Sequence, residues 1–160
     1  MRQRKNTAIL IAAMALLLVA ACDRSVVYDE HFTVDENGWN MDEPIVFNIE
    51  AEDTSETCLC FLDIRNRNDY AFSNIFFFIT TIYPNGEIAA DTNIEFQLAM
   101  PDGKWLGKES GRYVDGRYPL CYFHFPEKGK YQFVIHHAMR DTLLAGIKDI
   151  GMHVERVTVK

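Results

Sequence analysis

The chain has 160 residues, 48% hydrophobic and 24% charged, with five Pro and nine Gly. That length suits one domain, and the composition excludes a disordered tail, a collagen-like repeat and a multi-pass membrane protein. The formal net charge is −7, yet residues 1–21 hold Arg2, Arg4 and Lys5 and no acid, so the remainder carries 13 Lys/Arg against 23 Asp/Glu, a net −10. So acidic a body repels nucleic acid and bare anionic lipid, which excludes a polybasic attachment to either.

The basic start is followed by an apolar run from Ala8 to Ala21. This is too short to span a bilayer and matches a signal-peptide core. It closes on Leu18-Val19-Ala20-Ala21-Cys22, which resembles a bacterial lipobox: a branched apolar residue, small residues that let the protease approach, then the thiol that takes the diacylglyceryl group. A plain signal peptide with a chance cysteine is the blander reading. On the lipobox reading, residues 1–21 are cleaved and Cys22 is the lipidation site of a 139-residue mature chain outside the cytoplasm. Two or three acyl chains hold a protein on a membrane essentially permanently, whereas one binds marginally. Residues 22–36 read as the lipidated N-terminus with an acidic tether that runs into a first strand. Residues 37–160 read as a single domain.

From there alternation dominates. Ile45, Phe47 and Ile49 alternate with Val46, Asn48 and Glu50, the mark of a half-buried strand. In residues 58–66, Cys58, Cys60, Leu62 and Ile64 share a face. Residues 74–83 are apolar on both faces, which predicts a central strand covered on both sides. Pro84-Asn85-Gly86-Glu87 is a strong turn signal and predicts a hairpin into residues 88–98. Residues 101–116, with four Gly, read as a long loop. Residues 118–125 and 130–137 read as a second hairpin around Pro126-Glu127-Lys128-Gly129. Met139, Leu143, Leu144 and Ile147 fall at helical spacing and predict one short helix near Asp141-Thr142. A last strand is expected over 152–159. Seven to nine short strands at this spacing argue for an all-β, antiparallel β-sandwich, jelly-roll or Ig-like, with at most that one helix; a closed barrel is the alternative.

Catalytic and metal motifs are missing. The glycine spacing in 103–109 fails a phosphate loop, and Ser110 is misplaced for a nucleophile elbow. His31, His124, His136, His137 and His153 are scattered, and adjacent His136 and His137 must face opposite sides of a strand. No Cys-x₂-Cys or His-x₃-His pattern supports zinc, and no cofactor is expected. Cys58 and Cys60, two apart on a strand, are poorly placed to bridge each other. One of them could meet Cys121 on a neighbouring strand; the simpler reading is three buried, unreactive thiols.

The aromatic loop residues are the remaining feature. Trp39 after Asn37-Gly38 reads as a plug over the sandwich end. Trp105 after Asp102-Gly103 reads equally as a plug or as an exposed platform that stacks on a sugar or peptide. The expected contact surface is residues 101–118 with residues 68–74, represented by Tyr70, Phe72, Trp105, Leu106 and Tyr113.

Several blocks then carry a resemblance: the lipobox, Asn37-Gly38-Trp39, Ile64-Arg65-Asn66 through Asp69-Tyr70-Ala71-Phe72-Ser73-Asn74, Pro101-Asp102-Gly103-Lys104-Trp105-Leu106-Gly107, Phe125-Pro126-Glu127-Lys128-Gly129-Lys130-Tyr131, Ala138-Met139-Arg140, and Leu144-Ala145-Gly146-Ile147-Lys148-Asp149-Ile150-Gly151. In this order over nearly the whole mature chain they resemble the gliding-motility lipoprotein GldH family of the Bacteroidetes. The resemblance implies a cell-envelope lipoprotein required by the gliding apparatus, which in that phylum is linked to the type IX secretion system. It implies no enzymatic activity and no catalytic residues; Cys22 alone carries over. The expected function is therefore that of a non-enzymatic assembly or scaffold lipoprotein. Its acyl chains would hold it to the membrane, facing the periplasm from the outer membrane, and its partners would be other envelope proteins. A glycan-binding module is the alternative.

Overall fold

The structure is a computed structural model that describes residues 25–55 and 57–157. The signal peptide and Cys22 lie outside the described residues. Among the described residues there are eleven strands: β1 Val26–Thr33, β2 Trp39–Asn40, β3 Ile45–Ala51, β4 Thr57–Arg67, β5 Asn74–Ile82, β6 Ile88–Gln97, β7 Lys108–Ser110, β8 Tyr113–His124, β9 Gly129–His137, β10 Leu143–Leu144 and β11 Ile147–Arg156. Eight of these are long. They form a five-stranded sheet in the order β1-β11-β4-β8-β7 and a four-stranded sheet in the order β3-β9-β5-β6, with β10-β2 as a small pair. All pairings are antiparallel.

The two-residue period explains the layers. Along β4, Cys58, Cys60, Leu62 and Ile64 are buried while their neighbours are partly open, and along β9 Tyr131, Phe133 and Ile135 repeat the pattern. The inward faces meet in one buried cluster that draws on both sheets. Edge-to-face ring pairs cross between them: Phe123 of β8 lies 5.5 Å from Phe133 of β9, and Tyr28 of β1 lies 6.4 Å from Phe47 of β3. Each fully buried side chain of this kind contributes about 1.5–3 kcal/mol. The chain is an antiparallel β-sandwich.

Four local expectations are corrected. No helix occurs over 138–150. Leu144, Ile147 and Ile150 are buried at helix-like spacing, but Gly146 has φ +88°, and a Cβ there would meet the Tyr70 ring at 3.0 Å. A turn at Gly146 splits the segment into β10 and an early β11. The second hairpin is also absent. β8 pairs with β4 and β7, whereas β9 pairs with β3 and β5, so residues 125–128 cross from one sheet to the other. The long loop shrinks, because β7 and β8 pair within it. Finally, β5 is covered on one side only: Ile75, Phe77 and Ile79 point inward, but Phe78 is 51% exposed on the outer face. The β5–β6 hairpin occurs as expected, with Gly86 at φ +88°. Much of the segment read as a tether is strand β1, paired with β11.

Candidate functional site

Four backbone bonds gather distant stretches at one end of the sandwich. Leu98 and Ala99 N–H both donate to Ser73 O (2.7 and 2.9 Å), Leu106 N–H donates to Leu98 O (2.8 Å), and Asn68 N–H donates to Arg112 O (2.9 Å). Segment 68–74 and the loop after Pro101 are thereby neighbours.

The five expected contact residues differ in environment. Tyr70 is only 6% exposed and its hydroxyl donates to Asn74 O at 3.2 Å. Burial holds its pKa well above the usual tyrosine value. It supports this end from below and is corrected from contact residue to core residue. Phe72 packs edge-on against it, centroids 5.6 Å apart, and is half-buried. Trp105 bridges to Ala99 and packs partly against the core. Tyr113 is half-buried, with the Arg65 and Arg112 guanidinium carbons 4.8 and 5.3 Å from its ring centroid. Leu106 is half exposed. Trp39 is a plug, as read: it is buried, its Nε1–H donates to Glu43 O (2.8 Å), and its ring lies 6.0 Å from Phe77.

The more open feature lies beside Phe72. A groove of about 520 Å³ is lined by Phe72, Phe76, Ala138 and Met139, with Arg140 and Asp141 also contributing. Its floor is fixed by Ala138 N–H donating to Phe76 O (2.7 Å) and Phe76 N–H donating to Met139 Sδ (3.4 Å). Phe78 follows Phe76 along the same face, and its register partner is His136, whose Nδ1 lies 2.9 Å from Met41 O. Met41 and Phe78 are both exposed. Sequence reasoning missed Phe76, Phe78 and Met139 because an apolar run reads as buried until the sheet's two sides are known.

The other outer face carries a polar row. The register sets His31, Gly151, Asp63 and Arg117 side by side across β1, β11, β4 and β8. A Cβ on Gly151 would overlap the His31 imidazole, so the missing side chain lets His31 cross to Asp63, Nε2 to Oδ2 3.3 Å. Arg117 donates to both Asp63 oxygens at 2.7 Å, and that hydrogen bonding raises the Arg117 pKa above its ordinary value. In the next row Thr33 donates to Asp149 at 2.7 Å, and Arg65 lies 3.9 Å from Asp149 and 3.2 Å from Asp115. Among the described residues, Asp29, His31 and Asp63 hold ligand atoms within 4.8 Å of one another. Asp63 already accepts two charged hydrogen bonds, so a divalent cation would face the Arg117 guanidinium. The arrangement is a cross-strand charge ladder. It was invisible in the sequence because only the strand register creates it.

Against known proteins, the model of the family "GldH lipoprotein" matches residues 26–154, which run from the start of β1 into β11 and so cover nearly all of the sandwich. The chain belongs to the GldH lipoprotein family. A gliding motility lipoprotein GldH homolog of Christiangramia forsetii is 32% identical, covering 96% of this chain and 98% of that protein. The gliding motility lipoprotein GldH of Flavobacterium johnsoniae is 30% identical over 95% and 97% of the two chains. Among solved structures, a family GH115 4-O-methyl-alpha-glucuronidase aligns over 86% of this chain and 18% of its own, at 11% identity and TM-score 0.46. That likeness is too loose to carry a functional argument. The family match includes both outer faces and the loop end, and leaves out the cysteine read as the lipid site.

Proposed function

We propose that this member of the GldH family is a lipid-anchored envelope lipoprotein without catalytic activity of its own. It serves as an assembly or scaffold component of gliding-motility and type IX secretion-linked machinery. Cys22 carries the acyl chains, and the sandwich faces the periplasm from the outer membrane.

The observation that carries this reading is the polarity of the sandwich. β1 begins at Val26, four residues beyond Cys22. Through β11, the start of β1 aligns with the start of β4, since Val26 pairs with Glu155 and Glu155 with Leu59. The Phe72 and Trp105 end lies beyond the other terminus of β4, at Arg67. Eleven residues of strand separate the two ends by roughly 35 Å, at about 3.3 Å per residue. An anchor at Cys22 would adjoin the end where β1 starts, and the apolar groove opens toward the other. Confinement to a surface makes weak contacts effective by raising local concentration. A glycan site needs an open aromatic platform; Trp39 is sealed and Trp105 packs partly against the core, so apolar protein contact is better supported.

The test is replacement of the chromosomal copy in the native host by wild type, Cys22→Ala or Phe78→Asp. Membrane fractionation and co-purified envelope proteins are the readouts. Cys22→Ala should leave the membrane fraction and lose its partners. Phe78→Asp should remain anchored and folded while losing them. A Cys22→Ala protein that keeps its partners at wild-type level contradicts the scaffold reading.

A further inference from the structure

Cys60 of β4 and Cys121 of β8 are direct register partners. Opposed residues in an antiparallel pair have Cα atoms about 4.5–5.5 Å apart, inside the roughly 4.4–6.8 Å range that a disulfide bridges. Their facing depends on a bulge. Leu62 pairs with Tyr118 and Phe61 with Pro119, but Cys60 pairs with Cys121, so Leu120 is an extra residue on β8. One inserted residue switches which alternate positions of β8 face inward. Without it, Cys121 would turn to the opposite side from Cys60. Cys58 is opposed by Phe123, not by a cysteine.

We propose that Cys60 and Cys121 form a cross-strand disulfide in the mature protein, which leaves Cys58 reduced. The proposal rests on the reading that the domain lies outside the cytoplasm, where disulfides persist. Both residues are thiols in the structure. The Cys60 S–H donates to Cys121, which favours the Cys121 thiolate and lowers its pKa, while the same bond and burial raise that of Cys60. Cys121 is half-buried and Cys60 is sealed. Cys121 is thus the entry point. Its thiolate attacks one sulfur of an envelope thiol–disulfide oxidoreductase in its disulfide form, which breaks the oxidant's S–S bond and forms a mixed disulfide. Cys60 then loses its proton and attacks the Cys121 sulfur, and the oxidant leaves as a thiolate. Two protons and two electrons depart in all, and the oxidant ends as a dithiol.

The test uses the full chain from native-host envelopes, acid-quenched, denatured and labelled with a maleimide polymer before and after reduction. The lipidated Cys22 is a thioether and takes no label. The expected count is one label before reduction and three after. Cys58→Ser should show none before and two after, whereas Cys60→Ser and Cys121→Ser should each show two before and two after. Peptide mapping should find the 60–121 link, and reduction should lower Tm by about 10 °C. Three labels before reduction, in protein that fractionates with the envelope, would overturn the proposal. If the protein instead fractionates with the cytoplasm, the localisation reading fails. Incubation of the purified full chain with excess glutathione disulfide then decides the pairing: a 60–121 link upholds it, and thiols that survive overturn it.

Discussion

On the outside of the five-stranded sheet the side chains answer one another. His31 reaches Asp63, Arg117 donates to Asp63, Thr33 donates to Asp149, and Arg65 lies between two aspartates. On the outside of the four-stranded sheet, Phe76 and Phe78 follow in one row beside the Phe72–Met139 groove, and Phe78 is left half exposed. The first face has its charges compensated within the fold. The second exposes apolar area that only an outside surface can remove from water. The apolar face is therefore the better candidate for contact with a partner, although the polar one holds more of the residue types that chemistry uses.

The sharpest way to break this contrast is to compare adjacent phenylalanines of β5. Phe77 is fully buried and Phe78 is half open. Phe77→Ala should cost about 3–5 kcal/mol of unfolding free energy, measured by urea denaturation. Phe78→Ala should cost under about 1 kcal/mol and yet remove partner recovery. Equal losses of stability would mean that Phe78 belongs to the core.

A second test concerns His137 on β9. His137 is buried, with Nε2 2.9 Å from Trp39 O, and burial lowers its pKa despite that bond. Its folded form resists protonation while the unfolded chain protonates near pH 6.5. Lowering the pH through that value should therefore destabilise the protein until His137 also protonates in the fold. His137→Gln should flatten that part of the profile in thermal melts taken from pH 7.5 to 5. The smallest effect is expected on the ladder. Asp63→Asn should cost about 1 kcal/mol or less, because Arg117 is substantially exposed, and should leave partner recovery intact. Lost recovery would move the site to the polar face.

Much of the fold was legible in the sequence. Alternation in β3 and β4 and the apolar run of β5 located strands, and Pro84-Asn85-Gly86-Glu87 fixed the β5–β6 hairpin. What failed depended on non-local partners. Residues 138–150 match a helical period because Gly146 resets the inward side between two strands. The turn at 126–129 joins strands of different sheets, which local turn chemistry cannot report. The stretches that hold Phe72, Trp105 and Leu106 were legible as loops, and the fold gathers them at one end. Tyr70 was misread because burial beneath a loop looks, in sequence, like an exposed loop aromatic. The His31–Asp63–Arg117 row exists only through register, as does the opposition of Cys60 and Cys121.

The central claim is that the anchor and the contact surface occupy opposite ends of the sandwich. Site-specific photocrosslinking in living cells tests it most directly, with the crosslinker placed singly at Phe72, at Leu106 or at Lys128, the last beside the β1 start and β4 start end of the molecule. Adducts with gliding or secretion proteins are expected from Phe72 and Leu106, and lipid adducts or none from Lys128. Protein adducts from Lys128 with none from Phe72 and Leu106 would contradict it.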